Sequence, residues 1–394
     1  MKTEKLGNIA KINPRPTRAP HPGEIVSFLS MASVSEDGTT SEGEDRPYSE
    51  VRTGYTQFLN GDILVAKITP CFENGKIAQA KTKRPIAAGS TEFHVVRPDT
   101  SVIDARYLTA YLRQPWIRQA GERRMTGSAG QRRLPADFLA KLDVPIPPLA
   151  EQQRVADLLD RADALRTKRQ NVLVRLDELA QSIFLEMFGD PAMNPMGWHR
   201  AAIGTLLEAP LNYGTMTPAK EDSGDWLCLR VANIKNWSLD LSDRKYVTLD
   251  NSTQDRYTVK DDDILLARAI ASREHLGKAI VVKPCKERWA FDSHLMRVRL
   301  DKRLIEPLYL CHLLRSPGGR RLFLAAARRS AVQYNINTKE FANLVIPVPE
   351  IGRQRQFVER LAGIATIRRL SEGQAAEINS LFDSLQARAF RGEL

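Results

Sequence analysis

The sequence predicts an α+β protein in which two repeated mixed α/β domains are separated by two long antiparallel coiled-coil helices, with approximate two-fold symmetry. Three observations predict this fold: a repeat with a period of 202 residues, short strand-like runs in each repeat, and a long heptad pattern after each domain. The chain of 394 residues has room for two or three domains with cores of their own. A solenoid unit has roughly 20–50 residues, so a period this long indicates two copies of a whole domain.

The repeat is clearest at the proline-rich segment that closes each domain. The segment VPIPPLAEQQ starts at Val144 and returns as IPVPEIGRQR from Ile346, and 346 minus 144 gives the offset of 202. Asp62-Ile63-Leu64 matches Asp263-Ile264-Leu265 with a slip of one residue. Further pairs at the same offset are Gly75 and Gly277, Lys76 and Lys278, Tyr107 and Tyr309, Leu108 and Leu310, Arg113 and Arg315, Pro115 and Pro317, and Gln131 and Gln333.

The pattern divides the chain into four parts: a first domain over 1–146, a central helix over 147–190, a second domain over 191–346 and a C-terminal helix over 347–394. Within the domains, short apolar runs bounded by turn residues predict strands, with helical stretches after them. The predicted strands lie at 62–67, 93–97, 263–268, 278–283 and 294–300.

The long helices are predicted from alternating steps of three and four residues, the period of a coiled-coil seam. Apolar residues fill eight of ten steps from Val155 and six of ten from Phe357, where Leu361 is expected to cover for Arg360. Since neither helix alone buries its stripe, we expect the two to pack together. The predicted apolar seam is Val155, Leu158, Leu165, Val172, Leu176, Leu179 and Ile183 in the first helix, and Phe357, Ile364, Ile367, Ile378, Leu381 and Leu385 in the second.

The net charge of +11 is confined to the two domains. Residues 150–188 hold six Lys and Arg against seven Asp and Glu, and residues 350–394 hold seven against six. A generally basic protein would spread its charge evenly, whereas a basic excess on two domains indicates a surface that faces phosphates. Two basic domains on a spacer therefore predict binding to double-stranded nucleic acid.

Phosphate contacts need cations, and base contacts in the major groove need chiefly Arg, Lys, Asn and Gln. A single arginine is more often part of a solvated helix face, but clusters that recur in both copies favour DNA contact. The candidates in the first domain are Lys67, Lys76, Arg118, Arg123, Arg124, Arg132 and Arg133. Those in the second domain are Arg268, Arg273, Lys278, Arg320, Arg321, Arg328, Arg329, Gln333, Tyr334, Asn335 and Asn337.

Other functional classes find little support in the sequence. The four scattered cysteines and six histidines have no ligand spacing, and no P-loop or adenine-methyltransferase motif occurs. Asp261-Asp262-Asp263 is predicted to be a turn before a strand rather than a metal site. No apolar run is long enough to cross a membrane and no export signal is visible, so we expect a cytoplasmic protein without catalytic, metal or cofactor sites of its own.

Several segments resemble the specificity subunit (HsdS, S subunit) of type I restriction-modification systems. They are IPPLAEQQ at 146–153, FGDP at 188–191, NPMGW at 194–198, QYNIN at 333–337 and the C-terminal LFDSLQARAFRGEL. The resemblance covers the whole chain in order. The second copy departs from the pattern at Glu350 and Arg353, which stand where the first copy has Pro148 and Glu151. The resemblance therefore does not imply that partner subunits dock equally at the two ends of the protein.

The resemblance implies two target-recognition domains, each reading half of a split DNA site, held apart by the two helices. It also implies two adenine methyltransferase subunits that carry S-adenosylmethionine, and restriction subunits that use ATP and Mg²⁺ as a motor and nuclease. A free-standing DNA-binding regulator, a nuclease with an unrecognised site and a structural scaffold remain the alternatives.

Overall fold

A computed structural model of the protein describes residues 2–393 except 16, 17, 19, 129, 222, 271, 284–286 and 330–333; the side chains at 328 and 329 are also outside the description. The chain forms two compact units, which are described separately. Unit 1 comprises residues 1–170 and 374–394, and unit 2 comprises residues 171–373. Each unit contains one mixed α/β domain and a part of both long helices.

Unit 1 begins and closes with short strands around two larger sheets. Its strands are β1 (Thr3–Lys5), β2 (Ala10–Ile12), β3 (Ile25–Leu29), β4 (Glu44–Pro47), β5 (Thr56–Leu59), β6 (Ile63–Ala66), β7 (Ile77–Gln79), β8 (Ile86–Gly89), β9 (Phe93–Pro98) and β10 (Asp143–Pro145). Its helices are α1 (Leu6–Ile9), α2 (Tyr48–Val51), α3 (Ala105–Leu112), α4 (Pro115–Glu122), α5 (Ala136–Ala140) and the first part of α6 (Leu149–Phe188).

The two larger sheets of unit 1 have four strands each. One is antiparallel in the order β2-β9-β6-β7, and the other has the order β4-β3-β8-β5 with β3 and β8 parallel. The small pair β1-β10 aligns Thr3 with Pro145 and so closes the domain where α6 begins. All four residues of β6 are buried, which explains why the sequence of this central strand is continuously apolar.

Unit 2 repeats this plan with shorter strands. Its strands are β11 (Arg200–Ala202), β12 (Asn212–Tyr213), β13 (Trp226–Leu229), β14 (Ile234–Lys235), β15 (Ser238–Leu239), β16 (Tyr246–Val247), β17 (Ile264–Ala267), β18 (Ala269–Ile270), β19 (Ala279–Val281), β20 (Trp289–Phe291), β21 (Leu295–Val298), β22 (Arg328–Arg329), β23 (Tyr334–Asn335) and β24 (Val345–Pro347). Its helices are α7 (Gln254–Tyr257), α8 (Pro307–Arg315), α9 (Pro317–Ala326), α10 (Thr338–Ala342) and the first part of α11 (Ile351–Arg391).

Two sheets of unit 2 correspond to the two larger sheets of unit 1, although the second has three strands rather than four. The order β12-β21-β17-β19 corresponds to β2-β9-β6-β7, and β16-β13-β20 keeps the parallel pair. The closing pair β11-β24 aligns Arg200 with Pro347, which is 202 residues after Pro145. The predicted domain repeat is therefore a repeat of topology.

A buried ion pair holds the turn before the central strand in both units. Arg97 donates to both carboxylate oxygens of Asp62 at 2.8 and 2.7 Å, and Arg299 does the same to Asp263 at 2.7 and 2.8 Å. Asp263 also accepts a hydrogen bond from the backbone N–H of Lys260 at 2.7 Å. The prediction that the Asp261–Asp263 segment is a turn is confirmed.

The helices α6 and α11 occupy the regions predicted for them and run antiparallel. In unit 2, Asp177 of α6 bonds to Arg368 of α11 while Phe184, further along α6, packs on Phe357, nearer the start of α11. The helix α6 follows two prolines and ends before Gly189, whose φ of +75° suits glycine. Each helix segment contributes to the core of its own unit.

The apolar seam follows a heptad repeat, but its phase differs from the prediction. From Val155 and Phe357 the first step is four residues rather than three, because Leu159 and Leu361 are buried. The same phase brings Arg166 and Arg368 onto the inner face, where both side chains are partly buried. As expected, Leu361 takes the place of the exposed Arg360.

The predicted seam is wrong at four positions. Leu165, Leu179, Ile367 and Leu381 are 53%, 47%, 52% and 57% exposed. In each case the next residue, which is Arg166, Ala180, Arg368 or Phe382, lies on the inner face instead. Leu158 and Val172 are partly buried beside Leu159 and Leu173. The predicted positions that stay on the buried or partly buried face are Val155, Leu176, Ile183, Phe357, Ile364, Ile378 and Leu385.

Candidate nucleic-acid interface

In unit 1, the arginine-rich segment after α4 folds back onto the end of the central strand. Arg133 forms β-bridges with Ile68 and Thr126, and the backbone N–H of Leu134 donates to the carbonyl of Lys67 at 2.7 Å. Lys67, Arg132 and Arg133 thus lie together at one end of β6, although they are about 65 residues apart in the sequence.

Unit 2 builds the same arrangement as a small three-stranded sheet, in the order β18-β23-β22. Asn335 aligns with Ala269 on one side and with Arg328 on the other, and the N–H of Ile336 donates to the carbonyl of Arg268 at 3.0 Å. The Arg268 guanidinium lies 4.1 Å from the centroid of the Tyr213 ring. Of the candidates here, Gln333 and the side chains of Arg328 and Arg329 lie outside the described residues.

The predicted roles of Arg118 and Arg320 need correction. Arg118 donates to the carbonyl of Glu73 at 3.0 Å, and Arg320, 202 residues later, donates to the carbonyls of Leu276 at 2.5 Å and Arg273 at 3.3 Å. Both side chains anchor the loop that follows the central strand. We therefore remove them from the set of candidate DNA contacts.

Three other candidates also have structural partners. Lys76 donates to the carbonyl of Met31 at 3.1 Å, and Arg321 pairs with Asp190 at 2.7 Å. Asn337 is the N-cap of α10, where its side chain accepts from the N–H of Glu340 at 2.8 Å. A capping asparagine has its oxygen committed, so Asn337 is also removed from the set.

Two further candidate arginines in unit 1 carry carboxylate partners. Arg133 pairs with Glu92 at 2.9 Å, and Arg132 lies 3.6 Å from both Glu73 and Glu122. The hydrogen bond from Arg133 lowers the pKa of Glu92 below its usual range. A phosphate would have to compete with these carboxylates, but exposed pairs of this kind are worth only about 1 kcal/mol or less.

The remaining cations are available to a ligand. Among the residues that the structure describes, Arg123, Arg124 and Arg273 are exposed and make no side-chain hydrogen bond or ion pair, and Lys67 and Lys278 are half-buried. Arg123 and Arg124 directly follow α4 and precede the segment that folds onto β6. Free cations around this feature in both units form a surface suited to phosphates.

Tyr213 is a residue that the sequence did not suggest. Its ring lies against Arg268, and its hydroxyl accepts from the backbone N–H of Thr338 at 2.9 Å, so it supports both Arg268 and the start of α10. The residue 202 positions earlier is Lys11, so the repeat gave no signal. An aromatic ring stacked on an arginine restricts the orientation of the guanidinium and leaves the outer N–H groups of that guanidinium for a base or phosphate.

Neither a metal cluster nor a membrane helix is found in the described part of the chain. No three His, Cys, Asp or Glu side chains there are grouped so that they could hold a metal ion. None of the helices described is both long and apolar enough to cross a bilayer.

Comparison with known families gives one clear match. The family described as "Type I restriction modification DNA specificity domain" matches residues 3–175 and 195–380, once for each copy of the repeat. The match covers most of the chain, with nearly all of both domains and the larger part of each long helix. The chain belongs to this family.

Individual relatives agree with the family match. The EcoAI type I restriction enzyme specificity subunit of Escherichia coli is 41% identical over 185 residues, which are 45% of this chain and 31% of that protein. The StySPI specificity subunit of Salmonella potsdam is 25% identical over 314 residues, covering 76% of this chain and 67% of that protein. The chain thus aligns with less than a third of the EcoAI subunit.

Two solved structures share the fold over the full chain. A chain from a study of complex assembly and conformational transition of the type I R-M system has a TM-score of 0.55 at 18% identity, covering 100% of this chain and 98% of that chain. The S subunit of a type I restriction-modification system from M. genitalium has a TM-score of 0.54 at 12% identity, covering 99% and 96%.

Proposed function

We propose that this protein is the DNA sequence-specificity subunit of a type I restriction-modification complex. It binds a bipartite double-stranded DNA site and directs adenine methyltransferase and restriction subunits to it. The observation that carries this proposal is the recurrence, in both units, of a basic segment folded onto the end of the central strand. Two equivalent basic surfaces suit two half-sites.

In this proposal, residues 1–146 and 191–346 are the target-recognition domains, and the long helices are the spacer between them. Cations on each domain give salt-dependent affinity, and base-edge contacts give specificity. The candidates that we retain are Lys67, Lys76, Arg123, Arg124, Arg132, Arg133, Arg268, Arg273, Lys278, Arg321, Arg328, Arg329, Gln333, Tyr334 and Asn335.

The protein itself performs no chemistry in this proposal and acts in the cytoplasm. Two methyltransferase subunits supply S-adenosylmethionine chemistry, and the restriction subunits use ATP and Mg²⁺. The charged and aromatic residues described above bind and orient DNA. The buried carboxylates Asp62 and Asp263 have structural roles, because each bonds to an arginine of its own domain.

The test is a reconstitution with the adenine methyltransferase subunit of the same restriction-modification system. Transfer of a labelled methyl group from S-adenosylmethionine to plasmid DNA is measured with and without this chain. We expect sequence-specific transfer only when both proteins are present. Equal transfer by the methyltransferase alone would contradict the proposal.

The same preparations test the alternatives. A free-standing regulator would bind one duplex tightly without the methyltransferase, and a nuclease would cleave DNA with Mg²⁺ alone. We expect neither tight sequence-specific binding nor cleavage by the isolated chain. Cleavage that survives a second purification step would establish the nuclease alternative.

A further inference from the structure

Two glutamines at the starts of the long helices make the same three hydrogen bonds. In unit 1 the side-chain oxygen of Gln152 accepts from the backbone N–H of Asp104 at 2.8 Å. Its side-chain nitrogen donates to the carbonyls of Val102 at 3.0 Å and Pro147 at 2.8 Å. The side chain of Gln152 is fully buried.

In unit 2 the side-chain oxygen of Gln354 accepts from the N–H of Glu306 at 2.9 Å, and its nitrogen donates to the carbonyls of Leu304 at 3.3 Å and Pro349 at 2.7 Å. Each partner lies 202 residues after its counterpart in unit 1. A primary amide has one acceptor oxygen and two N–H donors, so the three bonds use both donors and the acceptor. A carboxylate would have no donor for the two carbonyls.

Each glutamine joins the long helix to two parts of its domain. Asp104 is the N-cap of α3, and Pro147 lies in the proline turn before α6. The same turn is held by the hydroxyl of Tyr107, which donates to the carbonyl of Pro145 at 3.2 Å. In unit 2 the equivalent Tyr309 donates to Pro347 at 2.9 Å. The base of each long helix is therefore fixed by a buried network.

We propose that Gln152 and Gln354 are positioning residues, which fix the direction in which each long helix leaves its domain and thereby restrict the spacer length between half-sites. The helix α6 has 40 residues. At 1.5 Å per residue it is about 60 Å long, so a tilt of about 5° at its base moves its far end by about 5 Å. One base pair rises by about 3.4 Å, so this is more than one base-pair step. The link to spacer length rests on the proposed function.

The first test measures spacer discrimination rather than total activity. Complexes with Gln152→Met or Gln354→Met methylate plasmids that carry both half-sites with spacers up to two base pairs shorter or longer than the natural one. We expect the ratio of methylation on altered spacers to that on the natural spacer to rise at least tenfold, with unchanged half-site sequences. Loss of methylation in equal proportion on all spacers would overturn the inference.

The exposed neighbours Gln153 and Gln356 provide matched controls, because Gln153→Met and Gln356→Met leave the buried amides in place. These controls should keep the natural spacer ratio. If the buried glutamine variants fail to fold, Tyr107→Phe and Tyr309→Phe weaken the same network by one hydrogen bond each. They should relax the spacer ratio in the same direction, and an unchanged ratio would count against the inference.

A second readout does not depend on DNA. Spin labels on the exposed Arg52 of the first domain and Thr167 of α6 report the distance between domain and helix within unit 1. Gln152→Met should broaden this distance distribution, and a distribution as narrow as in the unsubstituted protein would overturn the inference. Absence of split-site methylation by the unsubstituted complex would instead contradict the proposed function.

Discussion

Arg368 forms an ion pair with Asp177 in unit 2, whereas Arg166, 202 residues before Arg368, donates to the amide oxygen of Asn379 at 2.9 Å in unit 1. Asn379 is in turn 202 residues after Asp177. At equivalent points of the helix seam, the group that accepts from the arginine is therefore a charged carboxylate in unit 2 and a neutral amide in unit 1. Asp177 also forms an ion pair with Arg315 at 3.2 Å, and Arg368 has a second carboxylate partner in Glu372 at 2.9 Å.

Asp177→Asn should lower the free energy of unfolding by about 1–3 kcal/mol, because Arg315 loses its carboxylate partner and Arg368 keeps only Glu372. Urea unfolding monitored by circular dichroism measures the change. The exposed neighbour Glu178 gives the matched control, since Glu178→Gln should stay within about 0.5 kcal/mol. Conversely, Asn379→Asp should stabilise unit 1 by up to about 1 kcal/mol. Equal effects of the Asp177 and Glu178 variants would show that the seam pair is unimportant.

Acid should destabilise unit 2 through His312. Burial lowers the pKa of this histidine to about 4, with Arg315 acting in the same direction and Asp177 opposing it. As the pH falls below about 6.5, the unfolded chain binds a proton that the folded unit does not, so the free energy of unfolding falls by about 3 kcal/mol by pH 4.

The variant His312→Phe keeps an aromatic ring beside Phe357 but has no side-chain group that binds a proton in this pH range. Its free energy of unfolding, measured from pH 7 to pH 4, should decrease less than that of the unsubstituted protein. Carboxylates common to both proteins cancel in the comparison. Parallel pH profiles would show that His312 does not contribute.

The free arginines after α4 should set part of the salt dependence of DNA binding. Replacing both Arg123 and Arg124 by Ala should reduce the slope of log K against log salt by about two, because each phosphate contact contributes about 0.9. Fluorescence anisotropy with a non-specific duplex measures the slope. Replacing Lys2 and Lys141, which are exposed near the β1–β10 pair, removes the same charge and should leave the slope nearly unchanged. Equal slopes for the two double variants would exclude a local phosphate contact.

Shortening both helices should shorten the unread spacer. Deleting residues 168–174 and 371–377 removes one heptad from each helix and preserves the phase of the seam. Seven residues span about 10 Å of helix, so the spacer should shorten by up to about three base pairs. Sequencing of the methylated sites measures it. Both half-site sequences should stay the same, and a change in either would contradict a purely spacing role.

The repeat predicted most of this fold because the repeated residues stand at positions where the local backbone structure depends on one residue type. Pro145 and Pro347 close the two domains, and Asp62 and Asp263 hold the two turns before the central strands. The seam phase was not predictable by counting apolar residues, because Arg166 and Arg368 occupy inner positions where their partners lie on the other helix.

The candidate interface was predictable as a region but not residue by residue. Clustering identified the basic segments that fold onto the central strands. It did not distinguish Arg124, which is free, from Arg118, which bonds to the carbonyl of Glu73. That difference depends on which backbone carbonyls the fold brings close to each arginine. The amino-acid composition does not contain this information. Gln152 and Gln354 were visible in the repeated motif, but their burial was not.

Whether this protein selects the methylated sites is tested by a genome-wide map of N6-methyladenine with and without this gene, with the methyltransferase gene left intact. We expect methylation to disappear from one split motif, whose two half-sites and spacer are then read from the same map. If every methylated motif persists after the gene is removed, the protein is not the specificity subunit of that methyltransferase.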